Sequence, residues 1–169
     1  FSDPSARCDM LLATCDNLVV LHTFSKAFAM AGMRVGYVLA ATDVIDAFAA
    51  VRQPYTVDVV AQLAAREVVA RRDDFRETIA HLRANRDRLA AELSEMDGVR
   101  VWPSEGNFLL VRVPLAAEVR AWLRDERSIL VRDFSSTPGL EDCLRVTVGT
   151  EEENARLVEA LGVLLKKED

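Results

Sequence analysis

The chain is 169 residues long, half of them hydrophobic, and carries a formal net charge of -6. That length and apolar content suffice for one sizeable core or two small ones. The acidic balance argues against binding nucleic acid or an anionic membrane surface, and no apolar run approaches the roughly 20 residues that span a bilayer. Three cysteines, Cys8, Cys15 and Cys143, form no C-x-x-C pair, and the two histidines have no ligand spacing. Reduced thiols, a cytoplasmic setting and no structural metal are the expectation, and no secretory signal is visible.

Residues 1 to 16 include Pro4 and show no hydrophobic period, which predicts a loop followed by a short helix around Met10 to Leu12. Leu18 to His22, an apolar run between polar neighbours, predicts a buried strand, and Gly36 to Ala41 a second strand of the same sheet. Between them lies TFSKAFAMAGMRVGY, residues 23 to 37. Only three of the 21 basic residues are lysines, and Lys166 and Lys167 stand at the polar C-terminus, so Lys26 is the one in an apolar, small-residue segment. An amine becomes a nucleophile when apolar surroundings and a second cation favour loss of its proton, and Arg34 could supply that cation. A guanidinium with the hydroxyls of Thr23 and Ser25 suits a phosphate, so the set fits a phosphorylated aldehyde such as pyridoxal phosphate. An ordinary snorkelling lysine explains Lys26 equally well at this point.

Thr42 is placed to cap a helix carrying Val44, Ile45 and Phe48. Gln53-Pro54-Tyr55 breaks the chain before a helix from Thr56 to about Arg71, whose alanines and valines read as plain packing. From Asp73 to Met96, apolar residues at 75, 79, 82, 89, 93 and 96 predict a long amphipathic helix whose stripe is interrupted by Arg86. Asp97-Gly98 ends it. His81, among charges, reads as a surface residue.

Beyond Gly98 the texture shifts to short strands at Val99 to Trp102, Asn107 to Val113, Ser128 to Val131 and Cys143 to Val148. A helix spans Leu115 to Arg124. Thr150 and Glu153 form a capping box for a last helix carrying Leu157, Leu161 and Leu164. This predicts a small α/β sandwich with helices over one sheet face. Alternation in Leu144-Arg145-Val146-Thr147-Val148 turns Arg145 away from the apolar face, as a surface arginine would be. Arg132 stands beside Asp133, a possible surface ion pair.

S-K-A-F followed by A-G-M-R-V-G-Y, with VRDF at 131 to 134 and CLRVTVGTEEEN at 143 to 154, resembles the fold-type I pyridoxal-phosphate aminotransferases, most closely the histidinol-phosphate aminotransferase branch. His22 departs from the arginine more often expected before T-F-S-K. The resemblance covers essentially the whole chain but begins partway through the family's pattern. It therefore implies the C-terminal part of a longer α/β polypeptide: residues 1–72 the end of a large cofactor domain, 73–98 a connecting helix and 99–169 a small domain. It further implies Lys26 as the Schiff-base lysine and proton shuttle, with Thr23, Ser25 and Arg34 on the cofactor phosphate. Arg145 would hold the substrate carboxylate, Arg132 a distal phosphate, and Asn107 a structural position. Transamination between an amino acid or histidinol phosphate and a 2-oxo acid, in a homodimer completed by the missing N-terminal half, is the expected activity. The fragment alone is expected to be inactive. Another amino-acid transaminase of the same family, or a non-catalytic fragment acting only in assembly, are the alternatives.

Overall fold

The computed structural model describes residues 8–165, and the loop expected around Pro4 and the lysines Lys166 and Lys167 lie outside them. The described chain divides into two units that meet between Glu77 and Thr78.

The first unit is built on a hairpin. A 3-10 helix, Cys8–Ala13, precedes β1 (Val20–Thr23), which pairs antiparallel with β2 (Gly36–Leu39) in the register Val20↔Leu39 to Thr23↔Gly36. Both strands are shorter than the apolar runs suggested, and β1, expected to be buried, is largely exposed because no described residues cover it. The connection between them is closed by Phe24 N–H to the Val35 carbonyl at 3.3 Å and Met30 N–H to the Phe24 carbonyl at 3.2 Å. Phe24, Met30 and Val35 bury with Ala61 of the following helical region, giving a small core against which Phe28, Val57 and Ala65 pack. Cross-strand neighbours His22 and Tyr37 stack at 4.8 Å.

Helix α1 (Thr42–Val51) begins on Thr42 itself, with Ala41 in the cap position and no side-chain cap bond. Thr42 is thus the first helical residue and not the cap that its chemistry suggested. Helix α2 (Val59–Ala70) starts later than expected because Asp58 caps it, accepting from Ala61 N–H at 2.9 Å. Tyr55, 97% exposed at φ 59°, sits in the intervening turn.

The long helix begins as a 3-10 turn, Arg72–Phe75, and continues as α3 (Arg76–Ser94). Arg86 occupies the inner face, as the stripe placed it, and is 5% exposed. Its Nε donates to Asp87 at 2.9 Å and its Nη1 lies 3.8 Å from Glu105. Gly98 takes φ +73°, the left-handed turn that closes the segment.

The second unit is a four-stranded antiparallel sheet in the order β3 (Arg100–Val101), β4 (Phe108–Arg112), β6 (Cys143–Thr147), β5 (Arg132–Asp133). Leu109, Val111, Leu144 and Val146 face one side and bury with Leu89 and Leu93 of α3, Val119 and Leu123 of α4 (Ala116–Arg127), and Leu157 and Leu161 of α5 (Glu151–Leu165). One sheet face is thereby helix-covered, the sandwich that the alternating pattern implied. The strand expected over residues 128–131 is instead a turn. Helix α4 runs on to Arg127, Ser128 takes the left-handed conformation at φ 55°, and Ile129 N–H bonds back to the Leu123 carbonyl at 2.9 Å. Pairing begins only at Arg132, and Leu130 is left 82% exposed. The Thr150 box forms as expected, with Thr150 N–H to Glu153 Oε2 at 2.8 Å and Glu153 N–H to Thr150 Oγ1 at 3.2 Å.

Candidate functional site

The four residues expected around a phosphorylated aldehyde all belong to the β1–β2 hairpin. Lys26 lies in the turn over residues 25–28, directly beyond β1, and its carbonyl accepts from Ala29 N–H at 3.1 Å. Ala29 and Arg34 both have positive φ, 54° and 51°, so this connection bends sharply twice without glycine at either bend. Lys26 is exposed, so the apolar surroundings suggested by its neighbours in sequence are not supplied by the described residues. The neighbouring apolar side chains, Phe24 and Met30, turn inward to the core.

Two local hydrogen bonds shape the donors around it. Ser25 N–H donates to Thr23 Oγ1 at 3.1 Å, which orients the Thr23 hydroxyl while leaving its own proton to give away. Arg34 Nη1 donates to the Ala31 carbonyl at 3.0 Å, satisfying an acceptor on the first residue of the 3-10 helix Ala31–Met33, and its other donors have no hydrogen-bond partner among the described residues. Gly36 opens β2 because the strands approach too closely for a side chain: a Cβ there would stand 2.5 Å from the His22 carbonyl oxygen. A primary amine, a guanidinium and two hydroxyls on one hairpin are a donor set that fits an aldehyde bearing a phosphate.

The other two predicted residues are in the second unit, and the sheet brings them together. Arg132 of β5 and Arg145 of β6 are direct cross-strand partners on the face away from the helices, and both are exposed. Neither is ion-paired to a carboxylate among the described residues. Asp133, the sequence neighbour of Arg132, instead accepts from Ser135 N–H at 2.8 Å. Like charges directly opposed across a strand pair are unfavourable, so this is a place where an anion would be stabilising.

Behind Arg145 the strand end is held by a buried amide. Asn154, 8% exposed, accepts from Gly149 N–H at 3.0 Å through Oδ1, and Asn85 donates to the Gly149 carbonyl at 3.3 Å. The Asn107 carbonyl accepts from Val148 N–H at 2.9 Å, extending the β4–β6 pairing. His81 is exposed on α3. Sequence reasoning missed two residues around Arg145, Phe108 and Phe134, whose rings lie 5.5 and 5.9 Å from its Cζ. The signal was the alternation of β4, which puts Phe108 on the same face as Leu110, the partner of Arg145.

A family model described as Aminotransferase class I and II matches residues 2–161. The histidinol-phosphate aminotransferase of Roseiflexus castenholzii (strain DSM 13941 / HLO8) is 44% identical over 158 residues, covering 89% of this chain and 42% of that protein. The chain thus spans about two fifths of the length of the curated relatives it matches. Among solved structures, L-threonine-O-3-phosphate decarboxylase from Porphyromonas gingivalis superposes with a TM-score of 0.82 at 30% identity, over 94% of this chain and 50% of that one. Histidinol-phosphate aminotransferase from Sinorhizobium meliloti in complex with pyridoxal-5'-phosphate gives 0.80 at 25% identity, over 95% and 44%.

Proposed function

The chain belongs to the class I and II aminotransferase family, and from that premise we propose that it is part of a pyridoxal-phosphate-dependent aminotransferase. Its substrates are histidinol phosphate or an amino acid, paired with a 2-oxo acid. The observation that carries this reading is the Arg132↔Arg145 register, which sets two guanidiniums, without carboxylate partners among the described residues, side by side on an exposed sheet face. Such a pair suits a small substrate with one or two anionic groups.

The residues present fit the cofactor. Arg34, Ser25 and Thr23 donate to its phosphate, and Lys26 offers the amine that its aldehyde requires. When bound, pyridoxal phosphate supplies the sink for the electrons released at the substrate's α-carbon. Lys26 Nζ takes the proton from that carbon as general base and returns it as general acid. Arg145 holds the substrate carboxylate and so fixes the direction of the Cα–H bond, while Arg132 holds a distal phosphate where the substrate has one. The acidic and aromatic groups that would complete the cofactor's surroundings come from the part of the relatives that this chain does not span, and the complete enzyme is a cytoplasmic homodimer.

Lys26→Ala tests this in the chain joined to that remaining portion. Borohydride reduction should attach pyridoxal phosphate to the Lys26 peptide in the parent and to no lysine in the variant, read by peptide mass spectrometry. Attachment at another lysine overturns the assignment. The likeness to L-threonine-O-3-phosphate decarboxylase supports a second reading, decarboxylation of a phosphorylated amino acid. Release of carbon dioxide in place of a 2-oxo acid selects it.

A further inference from the structure

We propose that Phe108 and Phe134 are positioning residues that clamp the Arg145 guanidinium between two strands and so prepare the Arg132–Arg145 pair to receive a phosphate or carboxylate. The proposal rests on the reading of Arg145 as an anion-binding residue and adds to it the device that holds the side chain ready. The geometry begins with register. Arg145 pairs with Leu110 on one side and Arg132 on the other. Phe108 stands two residues from Leu110 on β4, and Phe134 two residues from Arg132 just past β5, where its N–H bonds to the Cys143 carbonyl at 2.9 Å. Each ring is therefore a diagonal neighbour of Arg145 on the same sheet face, one contributed from either flank, within reach of a long side chain. Their centroids lie 5.5 and 5.9 Å from Cζ, inside the range over which a ring quadrupole attracts a cation.

This arrangement does three things that a free surface arginine lacks. An arginine carries a large rotamer entropy that must be surrendered when it grips a ligand, and contact with two rings restricts it beforehand. Attraction to a ring consumes no N–H, so the donors of Arg145 remain available, and none of them bonds to another described residue. The negative ring faces also offset the repulsion from Arg132 directly opposite, which would otherwise drive the two guanidiniums apart. Phe108 is 41% exposed, so a large aromatic residue is kept at a partly wet position where packing alone does not demand it.

The test titrates the 169-residue chain with inorganic phosphate and follows binding by isothermal titration calorimetry, a readout that does not depend on the residue at position 145. Phe108→Leu and Phe134→Leu should each weaken binding roughly two- to fivefold, and the double variant about tenfold, while tyrosine at both positions stays close to the parent. Arg145→Gln is the control for the underlying reading and should abolish the saturable response. If the double leucine variant binds phosphate as tightly as the parent while Arg145→Gln does not, the clamp is overturned and the arginine reading stands. If Arg145→Gln also binds like the parent, both fall. Should leucine disturb the fold, stepwise fluorination of the two rings replaces it. Fluorine withdraws the ring's negative face with little change of shape, so affinity should decline with each step, and a flat series overturns the proposal.

Discussion

Single residues in this chain are held by constraints that differ in kind. Gly36 is there for space: a methyl group would meet the His22 carbonyl at 2.5 Å, in the pair that starts the hairpin beside Lys26. Gly36→Ala should therefore cost about 1–3 kcal/mol by forcing the strands apart, measured as a lower urea midpoint for the first unit. Arg86 is there despite its charge. Its stem continues the inner stripe of α3, while Nη1 has no hydrogen-bond partner among the described residues and Glu105 stands off at 3.8 Å. A guanidinium so buried is kept by packing of its carbon chain and by its bond to Asp87, more than by an optimised ion pair. Arg145 is governed by neither space nor burial but by what surrounds it on an open face.

At the scale of elements, short strands are made long enough to matter by what terminates them. Strand β6 carries Arg145 as its third residue, and its far end runs through Gly149 into the Thr150–Glu153 box that opens α5. The box fixes the exit of the strand and supplies partners for two of the helix's otherwise unsatisfied N–H groups. Thr150→Ala should cost about 1 kcal/mol in chemical denaturation of the second unit. Glu153→Gln should cost less, since the amide oxygen can still accept from Thr150 N–H. The β1–β2 hairpin has no comparable clamp. Its connection is closed by two backbone bonds longer than 3.1 Å and by the inward turn of Phe24 and Met30.

At the scale of the whole chain, the two units are unequally provided. Among the described residues, the second buries thirteen in one cluster, from three helices, two strands and Val113 just past β4, whereas the first buries four. The first also leaves Leu21 and Val51 80% exposed, with Tyr55 at 97%. Local opening follows buried apolar contact, so amide exchange in the 169-residue chain should be slowest in β4, β6 and α5 and much faster in the β1–β2 hairpin. Equal protection in both units would contradict this. Much of this organisation was legible in the residues themselves. The 3.6-residue stripe of α3, the alternation of β6 that turns Arg145 outward, and the capping box of α5 are local patterns, and local patterns survive into the fold. The motif around Lys26 likewise pointed to the family that the comparisons show. What local pattern could not decide was which residues meet across strands. The turn at Ser128 and the delayed start of β5 depend on where α4 stops, and only that register sets Arg132 opposite Arg145 with Phe108 and Phe134 at its flanks. Chemistry by residue type belonged to the sequence. Partnership, because it joins residues far apart in the chain through hydrogen-bonded register, belonged to the tertiary structure.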